Sequence, residues 1–235
     1  MIHYHGTPIT PNRLLFSLKG RHFFISFWRT DNIDIVSEIA QSFAIDNGAF
    51  SAWTKGVKPD WERYKDFIYK WQNHPGYDWH IIPDIIDGSE MENDKMIESW
   101  NMKRSVPVWH LHESLDRLKN LVNSFDRIAL GSSGEYSTIA SDGWWEVISK
   151  AMSIICDDNG FPKVRVHGLR MLDNKLRRIP FASADSTNVA QNSYEKNGMS
   201  AEARTFFLAD RIESEQSSSR WVEKKKEYET DWLLN

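Results

Sequence analysis

Acids, histidines and small polar residues recur at the ends of apolar runs in this 235-residue chain. The run Phe43-Ala44-Ile45 delivers Asp46 and Asn47 into an Asn-Gly turn, one of the strongest turn signals a sequence carries. "IPDIIDG" places Asp84 and Asp87 after a second run, and "VWHLHES" brings His110, His112 and Glu113. "LGSSGE" contributes Gly131, Ser132, Ser133 and Glu135; "VHGLR" contributes His167 and Arg170; "SADST" contains Asp185 and Ser186. His3 and His5 punctuate the first run, "MIHYHG". Singly, each has an ordinary structural explanation: a turn-forming Asp, a helix cap, a hydrogen-bonded strand-end His. Together they crowd one end of the runs, and that asymmetry points to a functional site.

Two chemistries fit these residue types. One is metal-assisted hydrolysis, in which imidazoles and a carboxylate hold zinc and activate water. His3, His5, His110, His112 and His167, with Asp185, supply such a set in a pattern that resembles the amidohydrolases. Residues i and i+2 of a strand share a face, so each His-x-His pair is compatible with ligation. No Lys follows the fourth run to bridge two metals. The other chemistry is exchange at an N-glycosidic bond. A carboxylate on the far face of the sugar acts as nucleophile, and others accept hydrogen bonds from the donor edge of a guanine-like base. Asp46, Asp84 or Asp87, and Asp185 answer that need without cofactor or metal, and Trp53 and Trp109 stand beside strand-end residues where a base could stack.

The elements that must position these groups follow from periodicity. Eight short apolar runs alternate with amphipathic segments: "NIDIVSEIAQ", "DWERYKDFIYKWQN", "SEMENDKMIESW", "ESLDRLKNLVNSF" and "SDGWWEVISKAMSII". Strand and helix in alternation, with near-continuous apolar strands, predict a parallel sheet covered by helices. Eight runs predict a compact (β/α)8 TIM-type barrel over residues 1–190, with an open doubly wound sheet as the rival architecture. In either, working groups gather at the carboxyl ends of strands. Residues 191–235 turn polar and read as a C-terminal helical extension packed on, or projecting from, the barrel. The composition, 40% hydrophobic and 26% charged, is ordinary for a soluble domain, and a single Cys156 excludes an internal disulfide framework and a cysteine zinc knuckle.

At "DNGAF", "IPDIIDG", "LGSSGE", "VHGL" and "SADST", taken in order from about residue 43 to 190, the chain resembles the tRNA-guanine transglycosylase superfamily. The resemblance is strongest to its phage and bacterial branch, which inserts 7-deazaguanines into DNA. It implies an eight-stranded α/β barrel and a pentosyltransferase exchanging guanine through a covalent Asp–sugar intermediate. Carried over by position, Asp185 matches the nucleophile, Asp46 the acid assisting recognition and proton transfer, and Asp84, or Asp87 by a short shift, the base-recognising acid. The Gly131–Ser133 loop matches the one whose amides meet the base carbonyl, and Asn47, His167 and Trp109 fall beside these groups as base-binding candidates. The cysteine-rich zinc site of the tRNA enzymes has no counterpart in a chain with one Cys, so DNA is the expected polymer and tRNA the weaker one.

Polynucleotide contact needs basic and aromatic groups near the cleft. Lys163, Arg170, Arg177 and Arg178 are the candidates, with Lys224, Lys225 and Lys226 in the tail, whose ordinary reading is a solvated helix face. Trp144 and Trp145 are expected to pack as helix core. The net charge of −4 offers no global attraction for nucleic acid. "MIHYHGTPIT" has the pattern of neither a signal nor a transit peptide, and no apolar stretch approaches a membrane span. A cytoplasmic location is expected, in a host cell if the chain is phage-encoded. Two alternatives stand beside the transglycosylase: a zinc hydrolase using the histidines, and a base- or nucleotide-binding barrel without catalysis.

Overall fold

The computed structural model describes residues 1–223. Nine parallel strands form one sheet: β1 (Ile2–Gly6), β2 (His22–Ser26), β3 (Ser42–Asp46), β4 (Tyr77–Ile81), β5 (Ser105–Val106), β6 (Val108–His110), β7 (Arg127–Gly131), β8 (Arg165–Gly168) and β9 (Ser183–Ser186). Their order is β5-β4-β3-β2-β1-β9-β8-β7-β6. The two outermost strands are halves of one run, "SVPVWH", interrupted at Pro107. Val106 pairs with Ile81 of β4 and Val108 with Ala129 of β7. The Ile82 amide donates to Val106 O at 2.9 Å, and the Ala129 amide donates to Pro107 O, also at 2.9 Å. This one run therefore carries hydrogen bonds from β4 across to β7 and brings the sheet round into a nearly closed barrel of the TIM type. Eight runs become nine strands because Pro107 has no N–H to give to a ladder.

The helices follow the amphipathic segments: α1 (Ile33–Ile39), α2 (Ala49–Thr54), α3 (Trp61–Trp71), α4 (Glu90–Ser99), α5 (Leu115–Ser124), α6 (Asp142–Ile155), α7 (Asn188–Asn192) and α8 (Ala201–Glu213). Five begin at side-chain caps, Asp60, Ser89, Ser114, Ser141 and Ser200, and Ser89 with Glu92 forms a capping box. No α-helix connects β1 to β2 or β8 to β9; 3-10 turns at Asn12–Leu18 and Asn174–Leu176 stand there instead. α8 packs on the first of these turns and on β1, burying Thr205, Leu208 and Ala209. The described part of the C-terminal extension thus supplies the helix that the β1–β2 connection lacks. Lys224, Lys225 and Lys226 lie outside the described residues. No helix among the described residues is long and apolar enough to cross a membrane.

Strand parity sorts side chains between two cores. Outward residues meet the helices: Phe23, Ile25, Phe43 and Ile45 pack with Val36, Tyr64 and Ile68, while Ile128, Leu130 and Val166 pack with Leu118, Trp144 and Ile148. Inward residues, Tyr4, Phe24, Ala44, Trp79, Ile81, Val106, Val108 and Ala129, fill the barrel. One irregularity shapes that interior. Phe43 pairs with Tyr77 and Ile45 with His80, so two steps on β3 oppose three on β4, a bulge. The extra residue brings Asp78 within 2.5 Å of the Tyr4 hydroxyl, which also accepts from Trp79 Nε1 at 3.1 Å. The barrel floor is thereby closed by a hydrogen-bonded plug.

Candidate active site

Five of the inward columns end at the carboxyl rim in a small or polar residue. Phe24 leads to Ser26, Ala44 to Asp46, Val108 to His110, Ala129 to Gly131 and Ser183 to Asp185. These five rim residues, with Asp84 and Arg170 from the following loops, line a cavity of about 250 Å³. Apolar wall comes from Phe24, Ile81, Val108 and Leu169, and Trp28 and Phe50 stand at its mouth.

Three carboxylates open on this space. Asp46 ends β3, where its Oδ2 accepts from the Gly48 amide and the Ser26 hydroxyl, both at 3.2 Å. Gly48 is required twice over: its φ is +76°, and a β-carbon there would stand 2.9 Å from the Trp28 backbone nitrogen. One edge of Asp46 faces the cavity, yet loss of water, with the Asp185 charge opposite, pushes its carboxyl up to about 6, against the pull of Arg170. Asp185 ends β9, and its Oδ1 accepts from the Arg170 amide at 2.8 Å. Arg170 adopts a left-handed φ of 57° to present that amide, and its guanidinium lies 3.9 Å from the Phe50 ring centre. No donor among the described residues reaches Asp185 Oδ2. Beneath it His167, fully buried, bonds Ser183 Oγ through Nδ1 at 2.9 Å. Its Nε2 lies 3.3 Å from Asp185 Oδ1 but is not aligned for a hydrogen bond. Burial lowers the His167 pKa, partly offset by Asp185, so the ring backs Asp185 in its neutral form.

Asp84, the third acid, is already engaged. Its Oδ1 accepts from Asn47 Nδ2 at 2.5 Å and its Oδ2 meets His110 Nε2 at 2.8 Å. Asn47 uses both of its amide hydrogens, since Nδ2 also donates to Ile82 O, and its Oδ1 accepts from the Ala49 amide, each at 2.8 Å. It pins the end of β3 to the end of β4. Behind His110, Glu113 accepts from the His110 amide at 2.8 Å and from Arg117 at 2.6 Å, and Arg117 also donates to Val108 O at 3.0 Å.

Of the residues expected at the site, Asp46, Asn47, Asp84, His110, Gly131, Ser132, Ser133, Arg170 and Asp185 line the cavity. Others do not reach it. Trp109 alternates with Val108 and His110 and therefore points outward, fully buried against the α5–α6 layer, with Nε1 donating to Ser114 O. Asp87 accepts from Trp53 Nε1 at 3.0 Å, a pair outside the cavity wall. Lys163 precedes β8 and lies at the opposite, amino-terminal end of the barrel. Arg177 is paired with Glu215, and Arg178 stacks 3.6 Å from the Trp145 ring centre, so neither adds to a basic mouth. Trp144 is core, as the sequence suggested.

The zinc set is not assembled. His3 and His5 face outward to the end of α8 and its following turn, with Nε2 2.6 Å from Glu215 O and 2.7 Å from Glu213 Oε1 respectively. His112 is exposed and stacks on His110 at 5.6 Å. Among the described residues no group of three or more His, Cys, Asp or Glu is placed to hold a metal ion. Ser26, Trp28, Arg29 and Phe50 were not expected at the site; the Trp-Arg pair just after the run "HFFIS" was the available signal.

Comparison of the chain with protein-family models, with curated proteins and with solved structures returned no match.

Proposed function

We propose that the cavity exchanges a guanine-type base at an N-glycosidic bond, with DNA as the polymer and a 7-deazaguanine as the incoming base. The observation that carries this reading is the approach of Asp46 and Asp185, from separate strands, to one cavity with different partners. Asp185, fixed by the Arg170 amide at one oxygen and open at the other, attacks the sugar anomeric carbon. The carbon–nitrogen bond breaks, the base leaves with the bonding electron pair, and an Asp–sugar ester forms. Asp46, with a pKa near 6, gives its proton to a ring nitrogen of the departing base. In the second half the incoming base attacks the same carbon, Asp46 takes its ring proton, and Asp185 is released. Trp28 and Phe50 supply stacking surface at the mouth, and Arg170 is the one expected nucleic-acid contact found there.

DNA, as against tRNA or a free nucleoside, rests on the ordered motifs and the single Cys156. The deciding experiment is labelled-guanine exchange into DNA and, separately, into tRNA, with parent protein and Asp185→Asn side by side. Label enters DNA with the parent and falls by at least about 10³-fold with the variant, as expected when a covalent nucleophile is removed. Base binding without label entering either polymer would make the barrel a binding module instead.

A further inference from the structure

His110 lines the cavity and carries a titratable side chain that the exchange reaction leaves unused. It is 3% exposed, and its Nε2 is held 2.8 Å from Asp84 Oδ2. Its Nδ1 has no hydrogen-bond partner among the described residues, although it is buried. Such an orphan costs about 1–3 kcal/mol unless something binds it. The neighbour over Nδ1 is Gly131, where a β-carbon would come within 2.8 Å of that nitrogen. The bare Gly131 lets the ring pack against β7 where both residues line the cavity, so a small shift of the imidazole is enough to bring Nδ1 to a bound base. Asp84, meanwhile, already has one hydrogen bond at each oxygen, with Asn47 and with His110, and keeps only its remaining lone pairs for a base.

We propose that His110 is a specificity-determining residue, its Nδ1–H donating to a ring carbonyl oxygen of the bound base and so selecting oxopurines over purines that lack that oxygen. The inference rests on reading the cavity as a base site, and it replaces Asp84 by His110 as the group that touches the base. The charges facing the imidazole support a donor at Nδ1. Asp84 adjoins it directly, Glu113 lies behind it with Arg117 from α5, and His112 stacks on its face. Burial alone would lower the His110 pKa, but the Asp84 bond and the charges of Asp84 and Glu113 outweigh burial and Arg117, leaving it raised. An imidazolium has both nitrogens protonated, one for Asp84 and one for the base.

The test is a fluorescence titration with 2-aminopurine, displaced by guanine, in parent protein and His110→Leu. The two bases differ at C6, where only guanine has the carbonyl, and at N1, where only guanine has a hydrogen, so the change in preference between parent and variant is what reads the contact of His110 with the carbonyl. The parent is expected to favour guanine by about 10- to 100-fold, the value of one charge-assisted hydrogen bond, and the variant to lose that preference through guanine alone. An equal preference in both proteins, or no base binding by the parent, overturns the proposal. If the variant does not fold, the ¹⁵N resonance of Nδ1 in the parent decides: it moves with guanine and not with 2-aminopurine, or the proposal falls. His110-dependent preference in a protein that exchanges no base would uphold this inference and sink the transglycosylase reading.

Discussion

At the scale of single residues, Asp46 is held in a state that costs the fold. Its carboxyl titrates near 6 in the native protein against 3.8 for the free side chain, because burial and Asp185 disfavour its charge. A raised carboxyl pKa means the native state binds the proton more tightly than the unfolded one. The penalty is therefore full above pH 6 and fades as the pH falls from 6 towards 4. Two units correspond to about 3 kcal/mol, reduced to roughly 1–2 for a side chain with a solvent-facing edge. Asp46→Asn, which keeps an acceptor for Gly48 and Ser26, should raise the melting temperature by a few degrees at pH 7.5 and by little at pH 4.5. The same variant should lose the limb near pH 6 from its exchange profile. The acids were legible in the sequence because each ends an apolar run; their partners were not. Nothing in "HYH" says that Tyr4 rather than the histidines faces inward, since parallel strands are buried on both faces and parity alone leaves the choice open.

At the scale of elements, the site depends on where β6 and β7 touch. His110 pairs with Gly131, and the imidazole occupies the space a side chain at 131 would need. Gly131→Ala would place its methyl 2.8 Å from Nδ1 and 3.1 Å from Val108 Cγ1. We expect a loss of about 1–3 kcal/mol in a denaturant titration, as for other overpacked sites, with the His110 ring displaced from Asp84 and its titration moved to lower pH by NMR. The strand–helix alternation was readable because core strands and amphipathic helices carry different periods. The break at Pro107 and the helix beginning at Ala49 were harder to see. The first depends on which neighbours a strand has on each side. The second is a six-residue helix whose start is set by the tertiary contact of Gly48 with Trp28.

At the scale of the molecule, α8 ties the ends of the described chain together. Glu213 receives His5 at 2.7 Å and Arg21, and the Met1 amino group donates to Gln216 at 2.6 Å. Burial would raise the Glu213 pKa, but hydrogen bonds from His5 and Arg21 hold it at about 2, below its ordinary 4.5. A depressed carboxyl pKa stabilises the fold above pH 4.5 and loses that contribution as the pH falls to 2. Glu213→Gln should cost roughly 1–2 kcal/mol at pH 7 after allowance for solvent screening, and little near pH 2, as measured by melting at each pH. The role of the extension was invisible in sequence because α8 takes the place of a helix missing near the start of the chain. That arrangement also sets a schedule. Tyr4 pairs with Asp185, so on a ribosome β1 waits for β9 over roughly 180 residues, on the order of 10 to 40 s, with one edge unsealed. The cavity, whose wall includes Asp185, is among the last parts of the molecule to exist.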